Sequence, residues 1–210
     1  MLNYFLLLSL ESIMTKIRLA TLDDVDVLKN LIQASVRGLS REEYSPDEID
    51  GGLQDIFGVD TQLIQDETYY VIEDEQDTIV ACGGWSKRKT LYGGNQFIDR
   101  EDELLTPTTD PAKIRAFFVH PDHARRGYGR LLLNYCEEQA LNQGFSSFEM
   151  MATLPGVKLY TKCGYLKDSE TYRHLSNGCT LGFFKMKKNT MAGENQPAHE
   201  LGLKYGTSEH

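Results

Sequence analysis

Apolar and polar positions repeat with two different periods along the first part of the chain. Residues 16–20 alternate in the manner of a half-buried strand. Thr21, with Asp24 three positions later, is typical of a helix start, and apolar residues at helical spacing follow from Val25. The run SPDE at residues 45–48 is a second start signal, with proline at the first helical position. These patterns predict a strand followed by two helices.

Residues 68–86 have the composition of a β-hairpin. The runs TYYVIE and TIVACGGWS are rich in β-branched and aromatic residues, and the acidic turn DEQD separates them. Periodicity then stops from residue 87 to residue 111. Irregular connections of this length are usually functional or disordered. We expect this excursion to form part of a substrate wall.

The second half of the chain alternates between strand and helix patterns. The run KIRAFFV at 113–119 predicts a strand, and apolar residues at helical spacing predict a helix that ends near Gly144. After it, SSFEMMAT predicts a strand, LPGVKLYTKC a short helix, and the regions around Tyr165 and 179–187 two further strands. The chain therefore reads as an α/β protein.

Length, charge and cysteine content limit the classes of function. The 210 residues suit one large domain, and no internal repeat is visible. The formal net charge of -9 argues against nucleic-acid binding, which needs a broad basic face. The four cysteines are far apart and form no CxxC pair, which argues against a zinc ribbon or a disulfide framework. We expect a protein of the reducing cytoplasm.

The two ends of the chain differ from the region between them. Residues 1–14 begin with an apolar run that is too short to span a bilayer and lacks a basic segment before it. We interpret them as an N-terminal extension, either an over-extended start or an accessory element. Residues 189–210 are polar and predict a loosely ordered tail. The predicted domain is 15–188.

The run VHPDHARRGYGRLLL, residues 119–133, joins a strand to a helix through a turn with two alternate glycines. A helix start exposes about four backbone N–H groups and the positive end of the helix dipole. Gly127 and Gly129 let an anion approach that backbone, and Arg125, Arg126 and Arg130 add positive charge. The pattern predicts a phosphate site, although a tight turn with solvated arginines is an open alternative.

Other site types fit this segment less well. A dinucleotide fingerprint would place its third glycine where Leu132 stands, and a Walker A loop would end in Gly-Lys-Ser/Thr. His120 and His123 have HxxH spacing, but the sequence supplies no evident third ligand, so we expect no metal.

The run IRAFFVHPDHARRGYGRLLL, followed later by LYTKCGY, resembles the GNAT superfamily of acyl-CoA-dependent N-acyltransferases. The first run matches the family's Q/R-x-x-G-x-G/A pyrophosphate loop, with Ala124 where Gln or Arg is frequent. The second matches its aromatic-Tyr-x-x-x-Gly-aromatic helix end, with Leu159 in place of the first aromatic residue. The resemblance implies a single domain with a mixed, mostly antiparallel, twisted sheet of about seven strands. Helices flank that sheet, which is splayed between its central strands.

The resemblance also implies which residues bind acetyl-CoA. The main chain of Phe117 and Val119 would bind the acyl and pantetheine groups, and the loop amides would bind the pyrophosphate. Tyr160 would donate a proton to the departing sulfur, with plain packing as its alternative role. The implied cofactor-binding residues are Phe117, Phe118, Val119, Arg125, Arg126, Gly127, Tyr128, Gly129, Arg130 and Thr153.

The implied function is N-acetyl transfer from acetyl-CoA to a primary amine of a small molecule or an amino terminus. The general base is left open between Glu149, Glu73 and unnamed groups. Trp85 and the residues after it either shape the acceptor pocket or belong to the core. A non-catalytic acyl-CoA sensor is the main alternative, and a nicotinamide-dependent oxidoreductase is a third. We expect a small-molecule amine partner and a homodimer, without nucleic acid or membrane.

Overall fold

A computed structural model describes residues 15–190, which form a seven-stranded sheet with helices on both faces. The predicted extension at 1–14 and residues 191–210 of the predicted tail lie outside the described residues. The strands are β1 (Lys16–Leu19), β2 (Tyr69–Glu73), β3 (Ile79–Ser86), β4 (Ala112–Val119), β5 (Ser147–Thr153), β6 (Leu166–His174) and β7 (Thr180–Asn189). The helices are α1 (Val25–Leu39), α2 (Pro46–Asp55), α3 (Thr61–Gln65), α4 (Tyr128–Asn142) and α5 (Leu154–Lys162).

The strands lie in the order β1-β2-β3-β4-β5-β7-β6. Every neighbouring pair is antiparallel except β4 and β5, which run parallel because α4 connects them across one face. The predicted mixed, mostly antiparallel sheet is therefore confirmed. The hairpin predicted for residues 68–86 is formed by β2 and β3.

The parallel pair β4 and β5 separates soon after it begins. Only Ala112 with Phe148 and Lys113 with Glu149 are in register, whereas both strands continue for several residues beyond. Glu149 is buried where the pairing ends and forms ion pairs with Lys113 and Lys185. The predicted opening between the central strands is therefore present, and buried charges lie at its closed end.

The two faces of the sheet pack against different helices. One core joins the sheet to α1, α2 and α3, through side chains such as Leu28 and Leu63. The other joins it to α4 and α5, through Leu132, Leu133 and Tyr160. Alternation along β4 and β5 supplies apolar side chains to both cores.

The two helix starts read from the sequence have the expected hydrogen bonds. The Thr21 N–H donates to Asp24, and the Glu48 N–H donates to the Ser45 hydroxyl. A short 3-10 turn, Leu22–Asp24, precedes α1. Sequence reasoning missed α3, because five residues are too few to show helical periodicity.

The excursion at residues 87–111 is ordered by its own main chain. The Lys89 N–H donates to the Glu103 carbonyl and the Thr90 N–H to the Glu101 carbonyl, as in a hairpin. Trp85, just before it, is 3% exposed and its ring packs edge-on against Phe145 at 5.7 Å between centroids. Trp85 is thus a core residue, the second of the two alternatives.

Tyr44, in the connection between α1 and α2, links three parts of the fold. Its buried hydroxyl donates to the Gly182 carbonyl at 2.7 Å and accepts from the Leu154 N–H at 2.9 Å. The connection is thereby joined to β7 and to the first residue of α5.

We predict that Tyr44→Phe lowers the free energy of unfolding by about 2 kcal/mol, because two partly buried main-chain groups lose their partner. Urea denaturation measures this change. Tyr172→Phe is the control, since the exposed Tyr172 hydroxyl donates only to the neighbouring Glu170 side chain. Equal stability of the two variants would contradict the bridging role of Tyr44.

Candidate active site

A cleft of about 810 Å³ opens where β4 and β5 separate. Residues from the turn before α4, from α4 itself and from α5 line one side. Residues from α1, from the α2–α3 connection, from segment 91–94 and from β7 line the other. The cleft therefore passes between the two strands and reaches both cores.

A bulge in β4 shapes the middle of the cleft. In the register with β3, Arg115 pairs with Gly84 and Phe118 with Cys82, so Ala116 and Phe117 have no partner residue. Ala116 adopts a left-handed conformation with φ of +57°, a strained position for a residue with a side chain. Bulges leave main-chain groups unpaired and change the direction of side chains. The main chain of the bulge thus borders the opening toward β5.

The main-chain groups of this strand end have weak partners within the protein. The Val119 N–H, which the sequence resemblance assigns to pantetheine, donates to the Ser35 hydroxyl at 3.2 Å. The Ala116 carbonyl accepts from the Tyr69 hydroxyl at 3.3 Å. Both distances are long for such donors. A ligand amide or carbonyl can therefore replace or share these partners.

The loop before α4 presents a helix start without a side-chain cap. Gly127 is the N-cap residue, and its φ of +91° lies in the left-handed region that favours glycine. Arg125 is also left-handed, with φ of +66°. The N–H groups of Tyr128, Gly129 and Arg130 begin the helix, so this end offers donors and positive dipole to an anion.

The structure brings most of the predicted cofactor-binding residues to the cleft and leaves one outside it. Arg126 does not line the cleft, and its guanidinium donates to the Asp122 carbonyl at 3.1 Å. A phosphate contact from Arg126 would require that side chain to move. The predicted residues that line the cleft are Phe117, Phe118, Val119, Arg125, Gly127, Tyr128, Gly129, Arg130, Thr153 and Tyr160.

Tyr160 lies on α5 beside the β4 bulge. Its ring packs edge-on against Phe117 at 6.5 Å, and Gly156, one turn earlier, leaves space for it. Tyr160 is 9% exposed, and burial raises the pKa of its hydroxyl above the ordinary value near 10. The side chain is thus a neutral phenol throughout the physiological range.

The two glutamates considered as general bases are both engaged elsewhere. Burial alone would raise the pKa of Glu149, but hydrogen bonds from Lys113 and Lys185 offset it and leave the pKa below its usual value. Glu73 has the same balance with Arg18 and Lys16. Neither carboxylate lines the cleft. Neither is placed to take a proton from an amine there.

His120 is the N-cap of the 3-10 turn Pro121–His123, and His123 is the last residue of that turn. Their ring centroids are 5.9 Å apart. His120 Nδ1 accepts the Asp122 N–H at 3.3 Å, and His123 lines the cleft. Within residues 15–190 there is no group of three or more His, Cys, Asp or Glu side chains arranged to bind a metal.

A buried charge cluster that sequence reasoning missed supports the opposite side of the cleft. Asp60 is fully buried and forms ion pairs with Arg115 at 2.8 Å and Arg100 at 3.0 Å. Arg115 donates to the Gly93 carbonyl and Arg100 to the Gly94 carbonyl. Burial lowers the pKa of Arg115 to about 10, although Asp60 acts in the opposite direction. These residues are far apart in sequence, so no local pattern signals the cluster.

Comparison with protein families identifies this arrangement. The model of the acetyltransferase (GNAT) family matches residues 34–165, more than half of the chain. The chain belongs to the GNAT acetyltransferase family. The matched range includes the β4 bulge, the loop before α4 and Tyr160. No curated protein sequence is significantly similar to this GNAT chain.

Solved structures of other family members share the fold at low sequence identity. A GCN5-related N-acetyltransferase from Rhodopseudomonas palustris is 18% identical, with a TM-score of 0.61, over 84% of this chain and 96% of that one. PaiA N-acetyltransferase from Thermoplasma acidophilum, solved in complex with coenzyme A, is 12% identical, with a TM-score of 0.55, over 83% and 98%. The ribosomal-protein-S18-alanine N-acetyltransferase from Escherichia coli is 15% identical, with a TM-score of 0.53, over 87% and 98%.

The family assignment makes this GNAT protein an acyltransferase and confirms the resemblance read from its two motifs. In the part of the chain that the structure describes, no helix has the length and apolar character needed to cross a membrane. A cytoplasmic location and a homodimer stay predictions.

We predict that Gly127→Ala raises the Kd for coenzyme A about tenfold, because a side chain in the left-handed region costs roughly 1–2 kcal/mol and the loop relaxes away from its anion-binding form. Isothermal titration calorimetry measures this change. Gly178→Ala is the matched control, since Gly178 has φ of +87° and, like Gly127, open space at the position that a Cβ atom would take. It lies outside the cleft lining. An equal rise in Kd for both variants would contradict the assigned role of Gly127.

Proposed function

We propose that this GNAT protein transfers the acetyl group of acetyl-CoA to a primary amine of a small molecule or an amino terminus. The observation that carries the proposal is the opening between β4 and β5, bordered by the uncapped start of α4. A thioester carrier with a diphosphate needs both features, because its amides require strand-like partners and its phosphates require clustered donors.

The residues present fit such a carrier. The loop amides from Arg125 to Arg130 would receive the diphosphate, and the exposed guanidiniums of Arg125 and Arg130 would add charge-assisted contacts. The main chain of Phe117 and Val119 would bind the acyl and pantetheine groups. Phe118 and Thr153 would line the passage between them. Arg126 would contribute only after leaving the Asp122 carbonyl.

The reaction requires a neutral amine to attack the thioester carbonyl. A main-chain N–H near Phe117 would stabilise the negative charge that develops on the carbonyl oxygen, an interaction worth about 100- to 1000-fold in other enzymes. Tyr160 would donate its phenolic proton to the departing sulfur. Burial keeps the phenol protonated at alkaline pH, and its position in the cleft lining beside the β4 bulge is what supports this role. The amine proton would leave through water, since Glu149 and Glu73 lie outside the cleft lining.

Transfer is favoured over simple sensing of acyl-CoA. A sensor needs only a site for acyl-CoA. This cleft continues past the β4 bulge to a second side, lined by β7 and segment 91–94, where an acceptor could bind. Family membership supports the same choice. The nicotinamide-dependent alternative lacks the third glycine of its fingerprint, because Leu132 occupies that position. The Leu132 side chain is fully buried in α4.

The proposed carrier is tested by thermal unfolding with added ligands. We expect coenzyme A and acetyl-CoA, at about 100 times their Kd, to raise the Tm by about 5 °C or more, because a ligand of the native state stabilises it by mass action. NAD should give no such shift. An equal shift with NAD, or none with coenzyme A, would remove the basis of the proposal.

The proposed proton donor is tested by Tyr160→Phe. We expect kcat to fall about 100-fold, because the leaving sulfur loses its acid, while the Kd for acetyl-CoA stays within about twofold. A thiol-release assay with a primary amine and calorimetric titration give the two values. Tyr165→Phe is the control, because its buried hydroxyl donates to Glu137 outside the cleft lining and should affect stability alone. Full turnover of Tyr160→Phe would exclude the proton-donor role.

A further inference from the structure

The side of the cleft opposite the phosphate loop has an aromatic lining, defined here as the aromatic wall of Phe57, Tyr92 and Phe183. Tyr92 is half-buried at the cleft, and Phe57 and Phe183 are core rings, 8% and 2% exposed. Phe183 packs against Tyr92 at 5.7 Å and against Phe57 at 6.4 Å between ring centroids. Apolar side chains extend this surface along α1, β5 and the start of α5: Leu39, Met151 and Leu154. An apolar ligand group packed there would remove from water both its own surface and the apolar surface of the protein.

The aromatic wall is fixed before any ligand binds. The carbonyls of Gly93 and Gly94, directly after Tyr92, accept from Arg115 and Arg100, and both guanidiniums pair with Asp60. The Gly94 N–H also donates to the Ile56 carbonyl, next to Phe57. Side chains set on such a frame select ligands by shape, since little ordering is needed on binding.

Charges on this side favour a cation and disfavour a carboxylate. Glu42 and Glu43 line the cleft in the connection between α1 and α2, and both are exposed. The basic residue on the same side is Arg115, whose side chain is 2% exposed and paired with Asp60. The other basic side chains of the lining belong to the phosphate loop, α4 and α5: His123, Arg125, Arg130, Lys158 and Lys162.

We infer that the acceptor is a primary amine carried on an aromatic or bulky apolar group, without a carboxylate next to the amine. This inference rests on the proposed transfer function and names its acceptor class. The apolar group packs on the aromatic wall, which directs the amine toward the β4 bulge. Glu42 and Glu43 attract the cationic form from solution. An arylalkylamine and an amino terminus with an aromatic first residue share this chemistry.

The acceptor class is tested by thiol release with four amines under saturating acetyl-CoA. Phenethylamine represents the small molecule and phenylalaninamide the amino terminus, while phenylalanine adds a carboxylate and spermidine lacks the apolar group. We expect kcat/KM for at least one of the first two to exceed that for the last two by about tenfold or more, the discrimination typical of an apolar pocket. The better of the first two identifies the source of the amine.

A pair of variants tests the aromatic wall itself. Tyr92→Ala should lower kcat/KM for the better aromatic amine about tenfold, and Tyr92→Phe should retain it, since the ring and not the hydroxyl makes the contact. Both should keep the Kd for acetyl-CoA within about twofold. Tyr172→Ala is the control, because Tyr172 is 61% exposed on β6 and lies outside the cleft lining.

The outcomes separate the acceptor class from the transfer function. A higher kcat/KM for spermidine or phenylalanine than for both phenethylamine and phenylalaninamide would overturn the acceptor class and leave the transfer function intact. Unchanged kcat/KM in Tyr92→Ala would do the same. Binding of acetyl-CoA with no release of the coenzyme A thiol in the presence of any of the four amines would overturn the acceptor class and leave the carrier site intact.

Discussion

Adjacent strands in a sheet satisfy each other's main-chain N–H and C=O groups, and strands that separate must find other partners for them. In this protein β4 and β5 share two register pairs and then diverge. The pairing ends at Lys113 and Glu149, where Lys185 gives the buried carboxylate a second partner. The cleft, the bulge beside it and the proposed carrier site all follow from this early separation.

The protein partly compensates the strand end from its own side chains. The Ser35 hydroxyl accepts from Val119, and the Tyr69 hydroxyl donates to the Ala116 carbonyl, both at long distances. Such partners satisfy the main-chain groups but bind them only weakly. The left-handed Ala116 agrees with this interpretation, because local strain persists where the surrounding structure imposes it and is concentrated at functional sites.

Charge is divided along the cleft in a chain that is acidic as a whole. Basic side chains line the side formed by the phosphate loop, α4 and α5, and acidic side chains line the side formed by α1 and α2. On this second side Arg115 is buried and paired with Asp60, whereas the acidic Glu42 and Glu43 are exposed. Removing one member of such a buried pair typically costs about 3–5 kcal/mol, so the ion pairs of Asp60 with Arg115 and Arg100 stabilise the frame of this side.

The sequence by itself determined the features that depend on near neighbours. These are the capped starts before α1 and α2, the β2–β3 hairpin and the glycine turn before α4, since such features depend on a few consecutive residues. The two family motifs allowed the opening of the sheet and most of the cleft lining to be expected as well. Only the tertiary structure decided that the Arg126 side chain lies outside the cleft, that the Ser35 hydroxyl accepts from Val119 and that Asp60 pairs with two distant arginines. Those contacts depend on strand register and on segments far apart in the chain, which no local pattern encodes.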